Sequence, residues 1–365
     1  MNGNGSCITE TGEPVLLFSA INEIRALSVR SLLYTQVDYN LPHAVGVGFD
    51  HLDTRVYWTD AAGGNGTIMS KKLNSVQSDQ LVTIDLDLDM PEQLAVDEYN
   101  QNLYFTESHL KLLGVCSLQG RGCAVLVSGL DKPRGVAIHH ASRQLFYSDW
   151  GEQPVIVRLG LDGGNKTNLV QEGLQWPNGL AVDQETDRVY WADSKLDVIE
   201  TVKIDGTDRR AILTTRTIHP FSLAVFEDTL YWSDWETREV VSCNKYTGKD
   251  YRVLIKEAGI RPMGIAVAHP VSMEAGLEAP CSAADCSHVC LPRAPPSKGF
   301  TCACPSHQVS NSNSQYHCCN KTESFFLPRF LTSAARSASL TSRAARWPWP
   351  RPLLSTPPTP ASSAR

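Results

Sequence analysis

The chain has 365 residues, with 33 basic and 39 acidic side chains and a net charge of −6. From Asn320 onward it holds Lys321 and six arginines against a single acid, Glu323, so the body before it keeps 26 basic and 38 acidic residues. So acidic a body, with no basic helix or aromatic-laced basic patch, excludes nucleic acid as a partner, and no apolar run approaches the roughly 18 residues that span a bilayer.

In chain order, Met1–Ser6 is polar and does not read as a secretory signal. Cys7 is the only cysteine in the first twelve residues. Leu16, Leu17, Phe18 and Ser19 open the apolar text, and EIRALSV and TQVD follow as two further strands by composition. Then two phrases alternate. The first reads HAVGVGFD from His43, PEQLAVD from Pro91, PRGVAIH from Pro133, PNGLAVD from Pro177, PFSLAVF from Pro220 and PMGIAVA from Pro262. The second reads YWTD from Tyr57, YFTE from Tyr104, FYSD from Phe146, YWAD from Tyr190 and YWSD from Tyr231, at intervals of 47, 42, 44 and 41 residues.

A period of 40–47 residues marks an array of equivalent units. Short runs rich in Val, Ile, Tyr and Trp between turn signals are strands, and four fit each repeat: GLAV, RVYW, VIETVKI and RAILT in the copy from Pro177. Four antiparallel strands per repeat make a propeller blade. The sixth first phrase has no second phrase after it. Leu16–Ser19 stands 41 residues before Tyr57, where a preceding YWTD belongs. The expected architecture is therefore an all-β, six-bladed propeller over 13–273. Its last blade takes an inner strand from Met263 to Val267 and three outer strands from the N-terminus, leaving no open edge.

The aromatic residues of each YWTD are expected to pack between neighbouring sheets. Its hydroxyl and acid are expected to satisfy backbone groups between strands. Cys116 and Cys123 flank SLQGRG, a turn between strands, and can bridge if they oppose each other. Cys243 reads as a buried thiol. Six cysteines from Cys281 to Cys318 follow the spacing C-x4-C-x3-C-x11-C-x-C-x13-C. So short a segment needs bridges to hold it; six cysteines allow fifteen pairings, and the paired C-x2-C spacing of a zinc site is missing. The stretch 320–365 is rich in Ala, Ser, Arg and Pro and reads as a disordered low-complexity tail. Sequons stand at Asn4, Asn65, Asn165 and Asn320. With the cysteines, they place the chain in a secretory or extracellular setting, as a piece whose signal and anchor lie elsewhere. No nucleophile–base pair, phosphate loop or metal motif is present, and the inner strands carry Val, Leu, Ile, Ala and Gly where a lactonase-like propeller would need metal ligands. Neither enzyme nor cofactor is expected.

These YWTD copies, followed by a cysteine-rich module, resemble the low-density lipoprotein receptor family over about Cys7 to Cys318. QWPNG (Gln175–Gly179), DSKL (Asp193–Leu196), HPFSLAVFED (His219–Asp228) and FTCACP (Phe300–Pro305) resemble its lipoprotein, very-low-density lipoprotein and vitellogenin receptors more than its Wnt co-receptor branch. The resemblance implies an EGF-like module at 281–318 with bridges Cys281–Cys290, Cys286–Cys302 and Cys304–Cys318. It also implies that 1–12 ends a preceding module. The implied function is an endocytic receptor for lipoprotein or vitellogenin cargo, whose propeller receives the receptor's own acidic ligand-binding repeats at endosomal pH. Trp150, Trp176 and His219 match positions of that contact, and Trp235 lies beside them as a further interface aromatic. Asp197 stands where the family has a second histidine, which weakens or moves the switch. The alternative is a Wnt co-receptor or matrix-type propeller binding an extended peptide or a partner module. His139 and His140 replace the acid of the first phrase and are expected to face solvent without a role.

Overall fold

A computed structural model describes residues 13–73, 75–80, 86–257, 259–269, 276–297, 299–305, 308–311 and 314–320, the last two segments as backbone alone. Cys7, the side chains of Cys318 and Asn320, and the tail after 320 lie outside the described residues.

Among the described residues every element is a strand. The first six are β1 (Val15–Ser19), β2 (Ile21–Ser28), β3 (Tyr34–Asp50), β4 (Arg55–Asp60), β5 (Thr67–Lys72) and β6 (Asp79–Gln80). Next come β7 (Pro91–Asp97), β8 (Asn102–Glu107), β9 (Leu112–Ser117), β10 (Cys123–Ser128), β11 (Pro133–His139), β12 (Gln144–Asp149), β13 (Val155–Gly160) and β14 (Thr167–Val170). After them are β15 (Pro177–Asp183), β16 (Arg188–Asp193), β17 (Val198–Lys203), β18 (Arg210–Leu213), β19 (Pro220–Phe226), β20 (Thr229–Asp234), β21 (Glu239–Asn244) and β22 (Arg252–Lys256). The chain closes with β23 (Ile265–Ala268), β24 (Val289–Pro292), β25 (Phe300–Ala303), β26 (Gln308–Asn311) and β27 (Ser314–Asn320).

Four sheets have four antiparallel strands in sequence order: β7–β10, β11–β14, β15–β18 and β19–β22. The fifth has seven, ordered β23-β1-β2-β3-β4-β5-β6. The innermost strands neighbour one another in the order β3, β7, β11, β15, β19, β23 and back to β3, a propeller-like arrangement. The ends of the chain meet where Leu16 pairs with Val267 and Phe18 with Ile265.

The second phrase holds adjacent sheets together letter by letter. The first aromatic packs toward the next sheet: Tyr57 with Leu94 and Phe105, Tyr104 with Tyr147 and Val157, Tyr190 with Leu223 and Trp232. The second packs backward: Trp191 meets Phe146 and Ile156, and Trp58 meets Leu17 and Ile24. Trp58, Trp191 and Trp232 are fully buried, each removing about 150–250 Å² from water. The hydroxyl bridges inner strands. Thr59 Oγ1 accepts from Gly46 N (2.7 Å) and donates to Glu92 O on the next inner strand (2.6 Å). Thr106 links Gln93 N to Arg134 O, and Ser233 links Ser222 N to Met263 O, in the same way. Glycine in the first phrase is explained by this closeness: a Cβ on Gly135 would lie 2.5 Å from Asn178 O, and one on Gly179 2.7 Å from Ser222 Cα.

Four expectations need correction. Ser19 Oγ accepts from Gly264 N and donates to Val45 O, so Ser19 stands for the hydroxyl letter. The equivalent of YWT is therefore Leu17-Phe18-Ser19, one residue later than the spacing suggested, and Leu17 and Phe18 face the next and previous sheets accordingly. TQVD and HAVGVGFD are not separate strands but parts of β3, which pairs with β2 over its first half and β4 over its second. The C-terminal inner strand is Ile265–Ala268, beginning two residues after Met263. His139 is buried at 2% exposure and His140 is half-buried; neither is a solvent-facing residue, because each is held against neighbouring turns.

Three bridges form among the described residues: Cys116–Cys123 across the β9–β10 hairpin, Cys281–Cys290 and Cys286–Cys302. Cys304 is also disulfide-bonded. Cys243 is a buried thiol, its pKa pushed up to about 12 by desolvation. The segment bearing β24 and β25 packs on β9 and on the core between the β7–β10 and β11–β14 sheets, through Val289 and Leu291. Asn102 Nδ2 donates to Cys290 O (2.6 Å) and Arg121 Nη1 to Cys286 O (3.2 Å).

Candidate interaction rim

The acid of the second phrase builds the end of the propeller where the inner strands begin. Asp193 accepts from the N–H groups of Gln175 (2.7 Å), Trp176 (3.0 Å), Lys195 (3.1 Å) and Leu196 (3.1 Å). Asp149 holds Asp131 N (2.9 Å) and Lys132 N (2.6 Å), and Asp234 holds Ile218 N, His219 N and Thr237 N at 3.0–3.2 Å. The residue before the first phrase is thus fixed by its own blade in these three copies. The residue after each acid is tied to it: Trp150 N donates to Lys132 O, Ser194 N to Trp176 O and Trp235 N to His219 O.

This frame brings the expected aromatics into one strip. The rings of Trp150 and Trp176 are 5.0 Å apart, Trp176 and His219 6.4 Å, His219 and Trp235 6.0 Å, and Trp235 and Phe221 5.6 Å. Trp150 is only 6% exposed and is the floor of the strip; Trp176, His219 and Trp235 are half-buried. Leu196 and Ile218 add exposed apolar surface at its edge, at 37% and 53%. Asp197 adjoins the same corner through its carbonyl, which accepts from Thr217 Oγ1. Burial, then Asp234 and Asp193, raise its carboxyl pKa.

The sequence reading missed the cations. Lys132 and Arg134 lie over Trp150 (5.3 and 5.2 Å to the ring centre), Lys195 over Trp176 (5.1 Å) and Arg261 over Trp235 (5.1 Å). A signal was available, because Lys132 and Arg261 fill the same pre-phrase position as Trp176 and His219. Arg134 is buried and ion-paired with Glu92. Desolvation lowers the pKa of His219 despite opposing pulls from Asp234 and Glu236. The strip offers flat apolar area overlaid with positive charge, suited to a partner presenting acidic and apolar side chains together. Among the described residues no group of three or more His, Cys, Asp or Glu side chains could hold a metal, and no helix is long and apolar enough to cross a membrane. Asn65 and Asn165 are exposed.

The family model described as low-density lipoprotein receptor repeat class B matches residues 143–184, 187–227 and 228–269. The vitellogenin receptor Yl of Drosophila melanogaster is 38% identical over 299 residues, 80% of this chain and 15% of that protein. The vitellogenin receptor of Solenopsis invicta is 35% identical over 303 residues, 83% of this chain and 17% of that protein. The chain therefore spans about a sixth of the length of these relatives. A chain in the crystal structure of a nidogen/laminin complex superposes with a TM-score of 0.66 at 25% identity, covering 70% of this chain and 99% of that one.

Proposed function

Because the chain belongs to the low-density lipoprotein receptor family, we propose that it is the extracellular propeller region of an endocytic lipoprotein or vitellogenin receptor, and that its aromatic rim receives the receptor's own acidic cysteine-rich repeats as cargo is released in endosomes. The observation that supports this reading is the unbroken run Trp150–Trp176–His219–Trp235 with a cation on each tryptophan. On this reading the seven-stranded sheet counts as two blades joined through β3, giving six in all over 13–273, since Ser19 repeats the bridging role of Thr59, Thr106 and Ser233. Residues 281–318 are the EGF-like module, with Cys304 bonded to Cys318. Residues 1–12 end a preceding module, and Asn65, Asn165 and Asn320 carry glycans.

His219 supplies the acid dependence. Burial holds its pKa below the ordinary value of about 6.5, so the ring is neutral at the cell surface. An acidic partner docked over it favours the imidazolium and raises that pKa, so docking takes up a proton and strengthens as pH falls. Each unit of upward shift is worth about tenfold in affinity. Binding of an isolated acidic cysteine-rich repeat is measured at pH 7.4 and 5.5. His219→Ala should flatten the ratio between the two, and Trp176→Ala should weaken binding at both. Asp197→His should raise the ratio by about tenfold. An unchanged ratio in His219→Ala removes His219 as the sensor.

The likeness to the nidogen/laminin structure favours a second reading, in which the rim holds an extended peptide or a matrix module. That reading expects tight binding with no difference between the two pH values.

A further inference from the structure

At the far end of the inner strands the first phrase runs into a tight turn closed by its last residue. Asp50 Oδ1 accepts from Leu52 N (2.8 Å) and Asp53 N (3.1 Å), Asp97 Oδ1 from Asn100 N (3.2 Å), and Asp183 from Glu185 N (3.3 Å) and Thr186 Oγ1. The residue four positions on is left-handed each time: Thr54, Gln101 and Asp187 have φ of 49°, 57° and 51°. In the β11–β12 turn the closing residue is His139, and Arg143 takes the left-handed position at 52°. His139 Nδ1 lies 3.2 Å from Ser142 N and 2.7 Å from Ser142 Oγ, and its Nε2 lies 3.0 Å from Asp187 Oδ1. A backbone N–H can only donate, so Nδ1 accepts. The imidazole is therefore neutral, with its proton on Nε2 facing Asp187.

That turn also touches the disulfide-bonded segment. Arg143 Nη2 donates to Glu278 Oε2 (2.8 Å) and Nη1 to Arg293 O (3.3 Å). A neighbouring grip comes from the Asp97 turn, where Asn100 Oδ1 accepts from Cys281 N (3.4 Å) and Asn102 holds Cys290 O.

We propose that this joint is a proton-sensitive latch, in which His139 senses and Arg143 holds. A proton on Nδ1 turns the acceptor that closes the turn into a donor: Ser142 Oγ, 2.7 Å away, can take it, but the Ser142 N–H loses its acceptor. The turn must then re-form, and Arg143 is withdrawn from Glu278 and Arg293. The other groups around the joint act as follows. Asp187 favours the imidazolium and so promotes the step. His140 Nδ1 lies 3.9 Å from Asp97 Oδ1 with its ring against Tyr99, and His51 Nδ1 lies 3.2 Å from Glu98 Oε1. Both of those pairs strengthen on protonation and keep the Asp97 turn, with Asn100 and Asn102, in place. Loss of the Arg143 contacts therefore frees one corner of the segment while Asn100 and Asn102 hold the other, and the segment pivots.

The latch needs nothing from the aromatic rim, so its test is separate from that of the rim. Hydrogen exchange of the whole chain is followed at pH 7.4 and 5.5, corrected for the intrinsic pH dependence, over peptides spanning 139–143 and 289–294. Protection there should fall about tenfold at the lower pH, the effect of one pKa unit. His139→Asp, which restores the carboxylate of the sister turns, should hold its protection at both values, as should His139→Asn, whose amide oxygen accepts without titrating near pH 6. Arg143→Gln should be poorly protected at both, while His51→Gln and His140→Gln keep the acid response. An acid response that survives in His139→Asp and His139→Asn, or one lost in His51→Gln or His140→Gln, overturns the proposal.

Discussion

Ser194 shows what the third letter of the repeated phrase is for. Where the other blades have Thr or Ser, this blade has Ala192. Ser194, two residues on, donates to Pro220 O and accepts from Asn178 Nδ2 (2.6 Å), so the link between inner strands survives by another route. Ser194→Ala would leave a buried carbonyl and a buried amide unmatched, at a cost of about 1–3 kcal/mol. The exposed control Thr214→Ala should stay within about 0.5 kcal/mol. Urea midpoints compare the two, and equal midpoints would remove Ser194 from the belt of hydroxyls. At this scale the aromatic letters were legible because burial of large rings leaves a compositional trace. His139 was not. An imidazole that accepts an N–H three residues on looks, by residue type, like any polar side chain at a turn.

Strands were the most legible elements, since each phrase alternates faces within a fixed period and is bounded by Gly, Pro or Asp. The limits of β3 were hidden for a physical reason. TQVD and HAVGVGFD stand as separate runs in the sequence, yet one strand continues across Leu41 and Pro42 while its partner changes from β2 to β4. The β9–β10 hairpin was half legible: the spacing of Cys116 and Cys123 allowed a bridge, and their positions as opposed, fully buried partners make it. Its tip carries Arg121, which holds Cys286 O, so the bridge steadies a platform as well as a blade. Cys116→Val combined with Cys123→Val keeps the site apolar and removes the link. The expected loss is about 2–3 kcal/mol for a loop this short, read by chemical denaturation under oxidising conditions. Stability equal to that of the oxidised wild type would show that packing alone holds the hairpin.

Across the whole molecule, the ring depends on one short strand from the N-terminus. Among the described residues every other sheet is made from a continuous piece of chain, and only β1 joins segments about 250 residues apart, pairing β2 on one side and β23 on the other. Leu16, Leu17 and Phe18 are fully buried and contribute to the cores on both flanks. Removing residues 1–19 would strip two ladders of their partners, uncover those cores and leave β23 an unpaired edge able to recruit another chain. The truncated protein should lose the single cooperative melting transition expected of a closed ring and associate as its concentration rises, with calorimetry and light scattering as the two readouts. Covering the edge in trans separates closure from general damage: a peptide of residues 13–28 carries both β1 and its β2 partner and should suppress the association. A truncated chain that melts in one step at the wild-type temperature, or that associates equally with the peptide present, would mean that the sheets stand without being fastened to one another.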